Sequence, residues 1–437
     1  AFPKKQELYT GIYRRVLPLY AKAQYRGIAV DELYLSALSQ EMRPQVDKMR
    51  EEFTAKYGCS PGQDEKVAQL LFKKMRLKPV RMNKKAASVD AASMSMLKAT
   101  YRENTEAMTV INDLLEYRAH SHQFNTFVGE AYSNEKKGPT GLYRHICEDG
   151  RIRPSPNLSG TVTGRNSYSE PNMQQFPVRD PRWIKLRGSL VPDSDFFWNE
   201  NDVSQAELRI AAFFSGDPAL IRTFRERRDP HANTARIVFK LTGKTDQEIK
   251  KFFKKQRDLS KNIIFGAFYG GSAQGLMGFV NARSEDKITL DEATDFFNSL
   301  RQEFSVFFSW RARIMMGIEA NGKIELPSGH VRYAENTGGN DKGELFNTLI
   351  QGTCGYIIKK SVIAAVAEIE RRRLPVDFLF DIHDSTLWQT PAEHLEEVQQ
   401  LVSQSIINAG MTFGVELESE AKVYSVRWGN EWKAGRN

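Results

Sequence analysis

The sequence predicts an α+β protein in which helical lobes surround a centre that contains β-strands. Three observations lead to this class. Residues 7–118 and 204–335 carry apolar side chains mainly at helical spacing. Between them, residues 138–200 are dense in Gly, Pro, Ser and Asn, which is typical of loops and short strands. Later, residues 376–390 have the pattern of two short strands joined by a turn.

The first lobe is expected to contain three helical stretches. The first ends at Gly27 and the second at Gly58, because glycine commonly terminates helices. The third is SMLKATYRENTEAMTVINDLLEYRAHSHQF, with apolar spacing at Ile111, Leu114, Leu115 and Tyr117. Before it lies LFKKMRLKPVRMNKK, which contains Lys and Arg but no acid. This segment is either a solvated run of charge or a sequence-independent grip on phosphates.

The last part of the chain is expected to return to long helices around the predicted hairpin. Residues 345–373 have the pattern of one long helix. The segment HLEEVQQLVSQSIINAG is amphipathic, and a final extended stretch follows it.

Composition narrows the class of protein. The 437 residues carry 62 Lys+Arg against 54 Asp+Glu, a net charge of +8, so a polyanion is the first partner to consider. A hydrophobic fraction of 41% excludes wholesale disorder. No uncharged apolar run approaches the ~20 residues of a membrane helix, and the start AFPKKQELY predicts no signal peptide. Three distant cysteines favour a reducing compartment, and the histidines show no zinc-type spacing.

The first candidate site residue is Asp202, in FFWNENDVSQAELR. An apolar stretch leads into Asp202 and a helix is predicted to begin at Ser204, so the carboxylate and the next carbonyl can both face a cleft. Such oxygen ligands suit a hard cation such as Mg²⁺. Glu207 has a local explanation, because Ser204-Gln205-Ala206-Glu207 fits a capping box.

The second candidate is Asp384, in DFLFDIHDSTLW, at the predicted turn of the hairpin. Strand alternation places Leu379, Asp381 and His383 on one face. An aspartate at this place can simply form a turn. Alternatively, Asp202 and Asp384 could hold two metal ions about 3.5–4 Å apart for in-line phosphoryl displacement. Spacing alone leaves both interpretations open.

The third candidate is the helix in RDLSKNIIFGAFYGG. Arg257, Lys261, Phe265 and Tyr269 recur every fourth residue, so they spread over only about 120° of the helix surface. Cations suit a triphosphate, and an aromatic face suits a stacked base or sugar. A basic helix end with apolar residues in the core explains the pattern equally well.

These segments together resemble the three polymerase motifs of family A DNA polymerases, the class of bacterial DNA polymerase I and its phage and organellar relatives. DVSQAELR resembles the first motif, RDLSKNIIFGAFYG the second and DIHDS the third. Further similar segments are TGRNSYSEPNMQQFP, GDPALIRTFRERRDPH, LFNTLIQGT and GNEW. The resemblance covers nearly the whole chain, in matching order and spacing.

The resemblance implies a right-hand polymerase fold, with an antiparallel β-sheet palm and largely helical fingers and thumb. Residues 1–120 would form the thumb with a short palm-associated start, 121–227 and 336–437 the two parts of the palm, and 228–335 the fingers. No proofreading exonuclease domain is expected in this chain. Its DxE pattern, Asp246-Gln247-Glu248, is better interpreted as an acidic helix start.

The implied activity is template-directed extension of a primer 3′ end with dNTPs, using two Mg²⁺ ions, or Mn²⁺ as a substitute, and releasing pyrophosphate. Asp202, Asp384 and the Val203 carbonyl would hold the metals, and Lys261 would assist catalysis. The residues implied to contact the incoming nucleotide are Arg257, Lys261, Phe265, Tyr269, His231, Glu207 and Gln205. The residues implied to contact primer and template are Arg165, Asn172, Gln174, Asn347, Gln351 and His383.

Within this set, Glu207 would be the steric gate that fills the space of a ribose 2′-hydroxyl, with Tyr269 as its hydrogen-bond partner. The sequence also departs from the family. Val203 replaces the usual Tyr, which leaves the backbone carbonyl unaffected. Ser385 replaces a carboxylate after Asp384. Asp381 stands where relatives usually have an uncharged residue, and we expect it to restore the lost negative charge.

The implied partners are primer–template DNA and dNTPs, with a separate or upstream exonuclease, helicase or primase in addition. A monomer is expected, in the cytoplasm of a bacterial or phage-infected cell, and an organellar location stays open. Three other functions share part of these features: a single-subunit RNA polymerase, a non-catalytic nucleic-acid-binding module and a metal-dependent nuclease. The Glu207–Tyr269 pair disfavours an RNA polymerase, because it should exclude ribonucleotides. The retained aspartates and Lys261 disfavour a non-catalytic module. The helix of cations and aromatics disfavours a nuclease, which has no need of it.

Overall fold

The structure is a computed structural model that describes residues 6–83, 86–131, 138–177, 180, 182–284, 286–334 and 341–429. Within these ranges, no helix combines the length and the apolar character needed to cross a bilayer.

The first lobe is helical, as the sequence predicts. Its helices are α1 (Arg14–Arg26), α2 (Glu32–Tyr57), α3 (Asp64–Ala68), α4 (Ala91–Thr100) and α5 (Thr105–Gln123), with π-helical turns at Leu8–Tyr13, Gln69–Lys74 and Phe124–Val128. Its short strands are β1 (Ile28–Val30), β2 (Met82–Asn83) and β3 (Ala86–Ala87). Gly27 and Gly58 follow α1 and α2 with φ of 73° and 72°, a backbone conformation that glycine adopts readily.

The third helical stretch of this lobe is divided into two helices, α4 and α5. The chain leaves α4 at Tyr101, and Asn104 caps α5 by accepting a hydrogen bond from the Ala107 amide at 3.0 Å. The cations of the basic segment between residues 73 and 81 are exposed. Lys84 and Lys85 lie outside the described residues.

The first lobe has two parts with different packing. Side chains of α1 and of the start of α2, such as Val16, Leu35 and Met42, belong to the main core of the molecule. Phe53 and the apolar residues that follow it up to Leu114 form a second core of their own. The outer part of the lobe, from Phe53 to Leu114, therefore packs as a separate unit, whereas α1 and the start of α2 belong to the main core.

Residues 138–200 form short strands and turns, as expected. The strands are β4 (Arg151–Ile152), β5 (Ser155–Asn157), β6 (Ser167–Ser169), β7 (Leu190–Val191) and the start of β8 (Phe196–Val203), and 3₁₀ turns occupy Gly141–His145, Met173–Gln175 and Ile184–Ser189. β1 pairs with β4 and β7, and β5 pairs with β6.

The region after β8 is mainly helical. Its helices are α6 (Ala206–Ser215), α7 (Pro218–Arg225), α8 (Pro230–Val238), α9 (Asp246–Phe252), α10 (Lys254–Gly270), α11 (Ala273–Arg283), α12 (Leu290–Glu303) and α13 (Ser305–Asn321), followed by the hairpin of β9 (Lys323–Glu325) and β10 (Val331–Tyr333). Helix α9 begins at Asp246 with a capping box between Thr245 and Glu248. The interpretation of this acidic pattern as a helix start is confirmed.

The last region completes the central sheet. Its elements are α14 (Asp341–Arg372), β11 (Asp377–Ile382), β12 (Ser385–Pro391), a 3₁₀ turn at Ala392–His394, α15 (Leu395–Met411) and β13 (Ser419–Tyr424). The sheet has the order β11-β12-β8-β13 and every pair is antiparallel. Helices α14 and α15 pack together, and buried residues of both helices join those of the sheet in the main core. The predicted α+β class with an antiparallel sheet is confirmed.

The register of the sheet decides which residues meet at its end. Asp202, near the end of β8, is paired directly with Ser385 of β12 on one side and Glu420 of β13 on the other. Directly paired residues place their side chains on the same face, about 4.5–5.5 Å apart at Cβ. The register between β11 and β12 shifts between Phe378 and Phe380, so strict alternation does not hold through Leu379.

Candidate active site

Asp202 and Asp384 come together at one end of the sheet. Asp384 lies in the two-residue turn between β11 and β12, after His383, whose φ is 52°. The Val203 amide donates to the Asp384 carbonyl at 3.1 Å, which ties this turn to the end of β8. Two aspartates that are 182 positions apart in the sequence are therefore neighbours, and Asp384 is more than a turn former.

The electrostatics of this pair suit a cation. Burial, together with the charges of Asp384 and Glu200, raises the pKa of Asp202 to about 7. A divalent cation bound between two carboxylates that repel one another stabilises both of them. Among the described residues there is no group of three or more His, Cys, Asp or Glu side chains that could hold a metal. Two carboxylates and a carbonyl fit Mg²⁺, which usually takes one or two protein carboxylates plus substrate phosphates.

The expected role of Asp381 needs correction. Its carboxylate is buried and accepts hydrogen bonds from Tyr168 (2.8 Å) and Asn166 (3.1 Å). It is also the main charge that favours the ammonium form of the buried Lys359. Asp381 is therefore bonded in the interior, where it opposes the charge of Lys359, and does not replace the carboxylate lost at Ser385.

The carboxylates that flank Asp202 are different ones. Glu200 precedes it by two positions on the same strand, and Glu420 is its direct partner on β13; both act to raise the pKa of Asp202. Lys422, also on β13, acts in the opposite direction. Ser385 is buried and donates to the Ile382 carbonyl at 3.1 Å, so it serves the turn.

Glu207 faces the site and caps no helix, so the capping-box alternative is wrong. The Ser204 amide donates to the Glu418 carbonyl at 3.0 Å, and Gln205 adopts φ 54°, so helix α6 begins only at Ala206. Glu207 instead accepts a hydrogen bond from the Tyr269 hydroxyl at 2.9 Å. The hydrogen bond expected between these two residues is present.

Arg165 connects Glu207 to the aspartate pair. Its Nη2 donates to Glu207 Oε1 at 3.2 Å and to Asp384 Oδ1 at 2.9 Å. Burial alone would lower the pKa of Arg165, but Asp384, Cys354 and Glu207 raise it above its ordinary value. The guanidinium therefore stays charged between the two carboxylates.

Cys354 is a neighbour of the aspartate pair that sequence reasoning missed. Its thiol donates to Asp384 Oδ1 at 3.2 Å, and burial and Asp384 raise its pKa well above the ordinary value. Its position three residues after Gln351 on the predicted long helix was a usable signal, since i and i+3 share a helix face.

Helix α10 presents the predicted stripe of cations and aromatics. The rings of Phe265 and Tyr269 are nearly parallel, with centroids 6.2 Å apart. At the other end, Arg257 donates twice to Asp229 Oδ2, at 3.0 and 2.7 Å, and Lys250 lies 3.2 Å from the same atom. Although burial raises the pKa of Asp229, the bonds from Arg257 and the Ala232 amide hold it at about 2. Asp229, which caps α8, was also missed.

His231 lies beside this stripe in its neutral form. Burial lowers the pKa of His231 to about 4; Asp229 opposes the shift, while Lys261 and Arg257 add to it. Its ring is 6.4 Å from that of Phe265. The buried Nδ1 atom has no hydrogen-bond partner within the described part of the chain.

Four of the six residues predicted to contact DNA line one cleft. They are Arg165, Asn172, Gln174 and His383. Gln174 supports the hairpin turn, because it accepts from the His383 amide at 2.8 Å and donates to the Asp381 carbonyl at 3.1 Å. The other two, Asn347 and Gln351, lie on α14 one turn apart, in line with Gly355 of the cleft wall.

The fold and the site together define a right-hand polymerase domain: an antiparallel sheet carries the aspartate pair, and a helix of cations and aromatics faces it. The chain belongs to DNA polymerase family A, whose sequence model matches residues 32–434.

Similar proteins agree with this assignment. DNA polymerase I of Aquifex aeolicus is 27% identical over 409 residues, which cover 93% of this chain and 65% of that protein. The thermostable DNA polymerase I of Thermus thermophilus is 26% identical over 440 residues, 98% of this chain and 48% of that protein. The chain thus spans about half to two thirds of these relatives.

A solved structure shares the fold. The polymerase domain of Pol1 from M. smegmatis, in complex with DNA primer–template and dNTP, superposes with a TM-score of 0.82 at 23% identity. The match covers 97% of this chain and 71% of that chain.

Proposed function

We propose that this chain is the polymerase domain of a DNA-templated DNA polymerase that extends a primer 3′ end with dNTPs and releases pyrophosphate. The observation that supports this most is the path of contacts from Tyr269 through Glu207 and Arg165 to Asp384. This path joins the helix suited to a nucleotide directly to the carboxylates suited to a metal. A nuclease would need the carboxylates but not the helix.

In this proposal Asp202, Asp384 and the Val203 carbonyl hold two Mg²⁺ ions, or Mn²⁺ as a substitute. When bound, such ions lower the pKa of the attacking hydroxyl and stabilise charge on the leaving group. The protein's own part is to hold both carboxylates in place and to orient them. Arg165 and Cys354 contribute to this by donating to Asp384 Oδ1.

The triphosphate would lie along helix α10. Arg257 and Lys261 supply positive charge, and Arg257 would exchange Asp229 for phosphate oxygens when the nucleotide binds. His231 would act as a neutral donor, because its pKa of about 4 leaves it uncharged near pH 7. Phe265 would line the sugar pocket, and Tyr269 would close over the nascent base pair.

Glu207 would exclude ribonucleotides, with Gln205 beside it in the turn before α6. Because Tyr269 and Arg165 both hold the Glu207 carboxylate, the side chain cannot easily swing away from a 2′-hydroxyl. This arrangement favours a DNA polymerase over an RNA polymerase of similar fold.

The division of the chain follows from the same proposal. Residues 1–120 would form the thumb and its palm-associated start, 121–227 and 336–437 the palm, and 228–335 the fingers. The separate core of the outer first lobe supports a thumb that moves as a unit. The proposed protein is a monomer that acts on primer–template DNA, with proofreading, unwinding and priming left to other domains or proteins.

Primer extension tests the proposal. The wild-type protein should extend an annealed primer with dNTPs and Mg²⁺ but use NTPs poorly. The Asp202→Ala/Asp384→Ala variant should be inactive, while Asp295→Ala, a change at an exposed aspartate of α12, should retain full activity. Extension by the double variant would contradict the assignment, and equal use of NTPs and dNTPs would favour an RNA polymerase.

A further inference from the structure

A lysine that the proposed chemistry does not use is fully buried in the middle of α14. Lys359 has 0% of its surface exposed, and its Nζ donates to the Gly164 carbonyl at 2.7 Å. Its ammonium also lies 5.1 Å from the centroid of the Tyr356 ring. An ammonium in the interior is costly unless an opposite charge and hydrogen bonds compensate it. Its presence therefore needs an explanation.

The face of α14 that carries Lys359 lies against the segment that carries Arg165. Gly352, Gly355 and Lys359 follow one another at three and four positions, so they share this face. A Cβ at Gly352 would lie 2.4 Å from the Thr163 carbonyl oxygen, and one at Gly355 would lie 3.1 Å from Arg165 Cγ. Helix α14 can approach the backbone of residues 163–165 this closely only because glycine occupies positions 352 and 355.

The same segment is held from its other side by Asp381. Asp381 Oδ1 accepts from Asn166 Nδ2 at 3.1 Å and from the Tyr168 hydroxyl at 2.8 Å. Asp381 is 3% exposed and is the main opposing charge for Lys359. Residues 164–168 are thus fixed between a buried cation and a buried anion, with Arg165 between the two attachment points.

We infer that Lys359 and Asp381 are a pair of positioning residues whose role is to set the place of the Arg165 guanidinium between Asp384 and Glu207. The inference rests on the proposed function, because it concerns a residue proposed to contact the primer end. It also explains an otherwise unusual charge at Asp381, because removing Asp381 deprives the buried Lys359 of its main opposing charge.

A double-mutant cycle with Arg165 tests this role. Lys359→Met removes the charge and the hydrogen bond to Gly164 while keeping an unbranched side chain that is only one atom shorter, and Asp381→Asn is the milder second variant. Each should lower kcat/KM for primer–template by roughly tenfold to a hundredfold, the effect expected when a group is misplaced by about 1 Å. In an Arg165→Ala background, neither change should lower it more than about twofold further, since Arg165 is no longer there to misplace.

The control is Lys360→Met, the same substitution at the next position of α14, where the ammonium lies 5.2 Å from the Phe413 ring centroid. It should leave kcat/KM unchanged in both backgrounds. Melting temperatures of all variants show whether they are folded; if Lys359→Met is not, the cycle is completed with Asp381→Asn.

Equal losses in the wild-type and Arg165→Ala backgrounds would overturn the inference, because a purely structural role acts regardless of Arg165. Wild-type activity from both single variants would overturn it as well. Failure of the wild-type protein to extend primers would instead overturn the proposed function and this inference with it.

Discussion

Metal binding at the aspartate pair should depend strongly on pH between 6 and 8. Burial and the neighbouring charges of Asp384, Glu200 and Glu420 raise the pKa of Asp202 to about 7. A proton on this carboxyl competes with the cation, so binding weakens as the pH falls through 7. With a pKa of about 7, the deprotonated fraction falls about tenfold from pH 8 to pH 6, which corresponds to ~1.4 kcal/mol of binding free energy.

The assay is a titration of the protein with Mn²⁺, followed by electron paramagnetic resonance of the free ion, at several pH values. The apparent Kd should rise about tenfold from pH 8 to pH 6. Two variants on β13 provide matched controls of opposite sign: Glu420→Gln should move the midpoint of this change to lower pH, and Lys422→Gln should move it to higher pH. A Kd that stays constant over this range, or a shift of both variants in the same direction, would refute the reasoning.

Three further predictions concern the nucleotide side of the site. Glu207→Ala should reduce discrimination against NTPs at least about tenfold, or ~1.4 kcal/mol, measured as the ratio of kcat/KM for dNTP and NTP; unchanged discrimination would exclude the gate role. Asp229→Asn keeps a helix cap but weakens the ion pair with Arg257. Because Arg257 then exchanges more easily to the phosphate oxygens, KM for dNTP should fall about threefold. A higher KM would mean that Asp229 orients Arg257 instead. The pKa of His231 lies below its unfolded value of about 6.5, so the folded state binds fewer protons and loses stability as the pH falls below 6.5. At pH 5 this loss should be about 2 kcal/mol in urea unfolding, and His231→Gln should lack it.

Much of the architecture could be predicted because its signals are local. Glycines end α1 and α2, the spacing of cations and aromatics defines one face of α10, and alternation with a turn predicts the β11–β12 hairpin. Such features depend on neighbours within a few residues, which the sequence displays directly. The approach of Asp202 to Asp384 is not local, and it was inferred from the resemblance to polymerase motifs.

The errors arose where distant contacts override a local pattern. Ser204 and Glu207 have the spacing of a capping box, but the bond from Ser204 to the Glu418 carbonyl delays the helix start and leaves Glu207 free to meet Tyr269. Thr245 and Glu248 have the same kind of spacing and do form the box, and here the Thr245 amide donates to Glu248 Oε2 at 2.8 Å. Local pattern cannot distinguish these two cases.

The charges at Asp381 and Ser385 show why a substitution near a site must be interpreted through its spatial neighbours. Asp381 adds a carboxylate three residues before Asp384, and Ser385 removes one directly after it. Their positions in the sequence suggest that the first replaces the second. In the structure Asp381 is the main opposing charge for the buried Lys359, whereas Glu420 is the carboxylate paired across the sheet with Asp202. The two carboxylates therefore belong to separate groups of charges: Asp381 acts on Lys359 in the interior, and Glu420 acts on Asp202 at the site. Asp381→Asn should consequently leave the pH dependence of Mn²⁺ binding unchanged while it lowers kcat/KM, and Glu420→Gln should move that pH dependence.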